Sequence, residues 1–146
     1  MNMRSVIHKI FLKKTRKKLS NLHAIFEANG PLYLSSSKED LFTYMARLVC
    51  SQQLSLSAAE TIWKKIVAQL ESDNRFLFEA CNNDYIDKIG SCGLSGNKVK
   101  ALLSLKTAFI NKEISKELLI NKTHPEVVKL ISSFWGFGPW SGDMVA

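Results

Sequence analysis

Apolar residues recur along most of this chain at the three- and four-residue spacing of an amphipathic helix, and nowhere as the sustained alternation of a strand. Leu19, Leu22, Ile25 and Phe26 share one face, and Gly30-Pro31 supplies a stop. Ser37-Lys38-Glu39-Asp40 resembles a capping box, and the helix it opens carries Leu41, Tyr44, Met45, Leu48 and Val49 on one stripe. A third helix begins near Ser55 or Ser57 and turns Ala59, Ile62, Trp63, Ile66, Val67 and Leu70 inward. Shorter helices follow over Phe76 to Cys81 and Tyr85 to Ile89, separated by the turn-forming Asn82-Asn83-Asp84. Gly90, Gly93 and Gly96 punctuate a loop. A longer helix from Asn97 then carries Val99, Leu102, Leu103 and Phe109, and a short one covers Lys116 to Ile120. Thr123-His124-Pro125-Glu126 opens the last long run. The fold class is all-α.

That last run leads into Phe134-Trp135-Gly136-Phe137-Gly138-Pro139-Trp140-Ser141-Gly142. Two glycines one residue apart, then a proline suited to the first turn of a new helix, describe a tight helix-hairpin-helix corner whose second helix starts at Pro139. The start of a helix carries unsatisfied N–H donors and partial positive charge, and absent side chains let a phosphate approach, so DNA backbone is the natural guest. The same pattern also serves as a plain turn between packed helices. A dinucleotide-binding loop fits less well, because the third glycine comes one place late and no strand precedes it.

With 146 residues, 46% of them hydrophobic, the chain suits one globular domain with a substantial core. No apolar run reaches membrane-spanning length, and His8, Lys9 and Lys13 interrupt what would otherwise suggest a secretory signal. Cys50, Cys81 and Cys92 are odd in number and scattered, which suits a reducing interior without protein-bound zinc. The net charge of +7 changes the picture more. Arg4, Lys9, Lys13, Lys14, Arg16, Lys17 and Lys18 all precede the first acidic residue, and the remainder of the chain balances. Residues 1–18 therefore read as a basic arm able to add sequence-independent affinity for nucleic acid. A solvated helix face or a transit peptide are the alternatives.

Leu48-Val49-Cys50-Ser51-Gln52-Gln53-Leu54-Ser55-Leu56-Ser57-Ala58-Ala59 joins two amphipathic helices through a polar Gln-Gln corner. Together with Gly93-Leu94-Ser95-Gly96-Asn97-Lys98 and the terminal hairpin, in this order, it resembles the helix-hairpin-helix DNA glycosylases, and within them the 3-methyladenine DNA glycosylase II branch. The likeness runs from about Leu19 to Ala146. It implies a glycosylase-like helical domain over residues 19–146, incomplete at its C-terminus and ending inside the hairpin's second helix. The implied enzyme is a monofunctional hydrolase that excises alkylated bases in base-excision repair, and a non-catalytic DNA-binding module is the alternative.

By position, the resemblance assigns Gln52, Gln53 and Leu54 to the loop that enters the minor groove, with Gln53 as the wedge that replaces an extruded nucleotide. It assigns a phosphate grip to the backbone of Gly136, Gly138, Trp140 and Ser141. Relatives that also cleave the DNA backbone carry a lysine where Trp140 stands, since a Schiff base needs an amine. Tryptophan instead offers a face for an extruded, cationic base, and Met144 lies one turn further on the same side. Main-chain carbonyls of Ser132, Phe134 and Gly136 correspond to a site for a monovalent cation, sodium or potassium, and no other cofactor is required. Ser51 stands in place of the family's usual glycine, and Ser141-Gly142 in place of Thr-Ala, the glycine loosening the helix by about 1 kcal/mol. The family's catalytic aspartate falls beyond Ala146, and Asp143 is no substitute, so this chain is expected to bind without turnover. The expected partner is double-stranded DNA with alkylated bases, the expected state a monomer, and the expected place the nucleoid of a bacterium or the nucleus of a eukaryote.

Overall fold

The computed structural model describes residues 3–17, 19–31 and 37–146, and every regular element among them is helical. The chain divides into two compact units, residues 1–37 and 38–146.

The first unit is a pair of helices, α1 (Met3–Thr15) and α2 (Ser20–Asn29). Their rings meet through Phe11 and Phe26, with centroids 5.2 Å apart. Thr15, only 5% exposed, donates its hydroxyl to the carbonyl of Phe11 at 2.8 Å and lies 3.2 Å from Nδ1 of His23. Gly30 ends α2 with a φ of 65° while its N–H reaches the carbonyl of Phe26, as a C-terminal glycine does. Most of the basic residues expected of an arm thus fall on or just after a helix, while Lys18 lies outside the described residues.

The second unit holds eight helices: α3 (Leu41–Ser51), α4 (Leu56–Ser72), α5 (Leu77–Ala80), α6 (Ile86–Gly90), α7 (Gly96–Ile110), α8 (Lys116–Ile120), α9 (His124–Ser132) and α10 (Pro139–Val145). The first of these starts later than the serine spacing suggests. Asp40, with extended backbone, caps it by accepting the N–H of Thr43 at 2.9 Å, which leaves Ser37 outside the helix. Burial raises the Asp40 carboxyl pKa, but the hydrogen bonds from Thr43 outweigh it and the net shift is downward. Of the two serines considered for the start of α4, Ser55 is the cap, accepting the N–H of Ala58 at 3.3 Å, and Ser57 lies inside the helix. The start of α9 is fixed by Glu126, whose carboxylate accepts both the N–H and the hydroxyl of Thr123.

Helix α3 is the hub, packing against α4, α5 and α7. Met45, Val49, Ile66, Ile89, Leu105 and Ile131 are fully enclosed, each contributing about 1.5–3 kcal/mol of transfer free energy. Phe42 meets Phe78 and Phe109 edge-on at 4.9 and 5.3 Å, so the aromatic cluster joins α3 to α5 and α7. At the other side of the core, Asp73 gathers three donors on one oxygen: Tyr85 hydroxyl at 2.6 Å, Gln69 amide at 2.9 Å and Lys88 ammonium at 3.0 Å. Those hydrogen bonds hold its carboxyl down at about 2 and pin the end of α4 to the start of α6.

Candidate nucleic-acid interface

The polar corner between α3 and α4 is a one-residue reversal. Helix α3 closes with the N–H of Gln52 on the carbonyls of Leu48 and Val49, and Gln53 then takes a φ of 57°. A left-handed conformation costs a side-chain-bearing residue about 1–2 kcal/mol, and strain of this kind gathers at functional positions. Gln53 and Leu54 both face solvent.

The hairpin between α9 and α10 is built on its glycines, for different reasons. Gly136 has a φ of 82°, and a Cβ there would come within 2.5 Å of the Ala101 Cβ on α7. Gly138 is extended, with φ −131° and ψ −176°, and a Cβ there would meet nothing within 4 Å. Its freedom is toward solvent. The N–H groups of Gly138, Trp140 and Ser141 have no hydrogen-bond partner among the described residues, whereas that of Gly142 already bonds the carbonyl of Gly138 at 3.0 Å. Gly142 itself corrects an expectation. A Cβ there would lie 2.8 Å from Cα and 3.0 Å from the carbonyl oxygen of Val128, so glycine permits the close crossing of α9 and α10 rather than merely loosening a helix.

The third motif supplies the opposite wall. Gly93, at a φ of 119°, turns the chain beside Ile62, and Ser95 precedes α7 without capping it by its side chain. Lys98 donates its ammonium to the carbonyl of Cys50 at 2.8 Å, so α7 is fastened to the end of α3. Burial lowers the pKa of Lys98, and burial pushes the Cys50 thiol up to about 12 against the pull of Lys98. Cys50 is a core residue, not a nucleophile.

Three stretches scattered along the sequence therefore meet. The amide of Gln52 donates to the carbonyl of Gly136 at 2.8 Å and to the hydroxyl of Ser141 at 3.2 Å, crossing from corner to hairpin. Beside this bridge opens a cavity of about 300 Å³ whose lining includes Gln52, Gln53, Asn97, Lys98, Trp135 and Gly136. Trp140 and Met144 are 55% and 46% exposed on α10. Ser141, by contrast, is 2% exposed; its hydroxyl serves the bridge, and its N–H has no hydrogen-bond partner among the described residues.

Of the carbonyls assigned to a cation, that of Gly136 accepts from Gln52 and that of Phe134 accepts the N–H of Phe137 at 3.1 Å. Each keeps one lone pair. Asp143 is exposed and pairs with His124 at 3.0 Å.

Three residues at this rim were not assigned a role from the sequence. Tyr44 donates its hydroxyl to the carbonyl of Met144 at 2.8 Å, tying α10 to α3, although in the sequence it is only one more member of an apolar stripe. Trp135, half exposed beside Gly136, carries the Lys100 ammonium 3.8 Å from its ring centroid. An aromatic residue at the tip of a glycine hairpin was the available signal for it.

No protein-family model matches the chain. Its fold is that of the 3-methyladenine DNA glycosylases of known structure. The Schizosaccharomyces pombe 3-methyladenine DNA glycosylase, solved in complex with abasic DNA, superposes with a TM-score of 0.74 at 23% identity, covering 88% of this chain and 64% of that one. A DNA-3-methyladenine glycosidase from Bacillus halodurans gives 0.69 at 21% identity, over 88% of this chain and 58% of that one. In sequence, the chain is 34% identical over 129 residues to the DNA-3-methyladenine glycosylase of Saccharomyces cerevisiae, an overlap that takes in 77% of this chain and 42% of the yeast protein. The chain thus spans less than half the length of that curated relative.

Proposed function

We propose that the chain recognises double-stranded DNA at alkylated or base-free nucleotides, as the binding part of a monofunctional 3-methyladenine-type glycosylase acting in base-excision repair. The observation that carries this reading is the meeting of the Gln52-Gln53 corner with the Gly136-Gly138 hairpin around one cavity. Base removal needs a grip on phosphate, a wedge for the vacated stack and a surface for the extruded base. The unpartnered N–H groups of Gly138, Trp140 and Ser141 provide the first, the solvent-facing Gln53 and Leu54 the second, and the exposed Trp140 and Met144 the third. The basic residues up to Lys18 add sequence-independent phosphate contacts. A sodium or potassium ion at Ser132, Phe134 and Gly136 would share the Gly136 oxygen with Gln52. The chain works as a monomer.

The remaining chemical requirement is a carboxylate to stabilise the positive charge that develops on the sugar. Asp143, the carboxylate nearest Trp140 along the chain, is already paired with His124 and exposed. This chain therefore binds lesions and does not release bases at an enzymatic rate, and in that respect it behaves as a DNA-binding module. The test has two arms. Fluorescence anisotropy should show at least about tenfold tighter binding to a duplex with a tetrahydrofuran abasic analogue than to the matched intact duplex. Methylated DNA incubated with the chain should yield no 3-methyladenine above background. Equal affinity for both duplexes would remove the lesion-recognition reading, and base release abolished by Asp143→Asn would assign the chemistry to Asp143.

A further inference from the structure

We infer that Gln52 is a positioning residue rather than a DNA contact, and that its amide couples the phosphate-gripping hairpin to the wedge loop so that the two act as one body. This rests on the lesion-binding reading above. Three features carry it.

The amide reaches 84 residues along the chain to Gly136 and 89 to Ser141, at 2.8 and 3.2 Å. A primary amide nitrogen has two N–H donors, and two acceptors are present, so both donors of Gln52 are committed to protein. No N–H is left for a phosphate or for an acceptor on a base edge. Its neighbour Gln53 is the reverse case: exposed, without any side-chain bond among the described residues, and set by a left-handed backbone whose direction depends on where Gln52 is held. The two glutamines are adjacent in sequence and divided in role.

The acceptors are themselves parts of the grip. Gly136 cannot shift toward α7, because it already sits against Ala101 too closely for a side chain. Ser141 lies in the first turn of α10 with its hydroxyl buried against Gln52 and its N–H free. A phosphate drawn onto the hairpin N–H groups therefore pulls on the two groups that Gln52 holds, and through them on the position of Gln53. Lys98 closes the arrangement from the other side by fastening Cys50, two residues before Gln52, to α7. The corner thus has a fixed support behind it and the amide in front of it.

The test is a double-mutant cycle on the intact chain, read with the tetrahydrofuran duplex and its undamaged match. Gln53→Ala removes the wedge, and Gly138→Ala crowds the grip. With Gln52 present the two losses on the abasic duplex are non-additive by about fivefold or more, the range seen for residues that share a network. With Gln52→Glu, which has nearly the same shape but cannot donate to the Gly136 carbonyl, they become additive to within about twofold. The single variant Gln52→Glu also loses about tenfold of the preference for the abasic duplex, as expected for a net hydrogen bond or two. Ser141→Ala, which deletes one acceptor, shows a smaller loss of the same kind and keeps the measurement available if Gln52→Glu folds poorly by circular dichroism. Persisting non-additivity in Gln52→Glu, or full lesion preference in both Gln52→Glu and Ser141→Ala, would overturn the coupling. Equal losses on both duplexes would make Gln52 a general contact and overturn it too. If the unaltered chain itself shows no abasic preference, the lesion-binding reading fails instead, and the two failures are distinguishable.

Discussion

Two glycines of the hairpin, two residues apart, should respond to the same substitution in opposite ways. At Gly136 an added methyl group meets the Ala101 Cβ at 2.5 Å, a distance real Cβ atoms do not tolerate, on a backbone with φ 82°. Overpacking costs about 1–3 kcal/mol and the left-handed backbone about 1–2 kcal/mol more, so Gly136→Ala should destabilise the fold by roughly 2–5 kcal/mol. For a chain of this size that is a fall in Tm of roughly 5–15 °C. At Gly138 the added methyl meets nothing within 4 Å, and φ −131° suits any residue. A slightly poorer helix cap and a less flexible unfolded chain offset one another, leaving Gly138→Ala within about 1 kcal/mol of the parent.

Binding should invert that order. On the proposed grip, a phosphate oxygen comes to within about 2.7–3.2 Å of the hairpin N–H groups through the open space at Gly138, and a methyl there would hold it off. A hydrogen bond to a charged group contributes about 1.5–3 kcal/mol, so Gly138→Ala should weaken DNA binding about tenfold or more with Tm nearly unchanged. Thermal melts by circular dichroism and anisotropy titrations at fixed salt measure the two quantities on the same samples. Parent-like DNA affinity in Gly138→Ala would refute the phosphate grip, and parent-like Tm in Gly136→Ala would refute the packing argument.

Gln53→Gly should likewise split stability from function: relief of the left-handed strain at φ 57° should raise stability by up to about 1 kcal/mol, while the abasic preference falls, and melts beside titrations check both signs. Trp140→Ala should leave Tm within a few degrees, because the side chain is 55% exposed, yet cost about 1–3 kcal/mol of binding to a duplex carrying an extruded-base analogue. Asp73 gives a pH prediction: its carboxyl, held at about 2 in the fold against an ordinary 3.8, contributes stability that is fully present above the ordinary value and lost as pH falls through the folded one. Asp73→Asn should flatten the acid limb of the stability curve between those values, as urea melts from pH 5 to pH 2 would show.

What the sequence disclosed was governed by backbone rules. Gly-x-Gly-Pro announces a corner and a helix start whatever surrounds it, and α10 does begin at Pro139. Helix faces were equally plain, since a stripe such as Met45, Leu48 and Val49 needs only the helical period to be recognised and is buried as expected. Caps were harder where two candidates lay a few residues apart. Ser37 and Asp40 both suit an N-cap, and only the place where the chain turns into α3 decides for Asp40. The unreadable part is what crosses the fold: nothing local in Gln52 distinguishes it from Gln53, yet one is spent on Gly136 and Ser141 and the other is left to solvent. Gly142 was misjudged for the same reason, because its value is the approach of Val128 from another helix. The basic N-terminal segment was read chiefly from its charge, with a solvated helix face as an alternative. Its apolar residues, Ile7, Ile10 and Phe11, keep a helical spacing that the structure realises as α1.

The way helix ends are treated at this rim bears on both its stability and the proposed phosphate grip. Every helix leaves its last carbonyls and first N–H groups without partners. Here the carbonyl ends are met by side chains from elsewhere: Lys98 on Cys50 near the end of α3, Tyr44 on Met144 near the end of α10, and Gln52 on Gly136 in the turn. Each of those donors also fastens two elements together, so satisfying the carbonyls assembles the rim. Two of the N–H ends are treated otherwise. Neither Ser95 before α7 nor Gly138 before α10 supplies a side-chain cap, and the free donors of Gly138, Trp140 and Ser141 find no acceptor among the described residues. With these three carbonyls met and the hairpin donors left open, the rim presents the positive end of the α10 peptide dipoles, which is the arrangement the proposed phosphate grip requires.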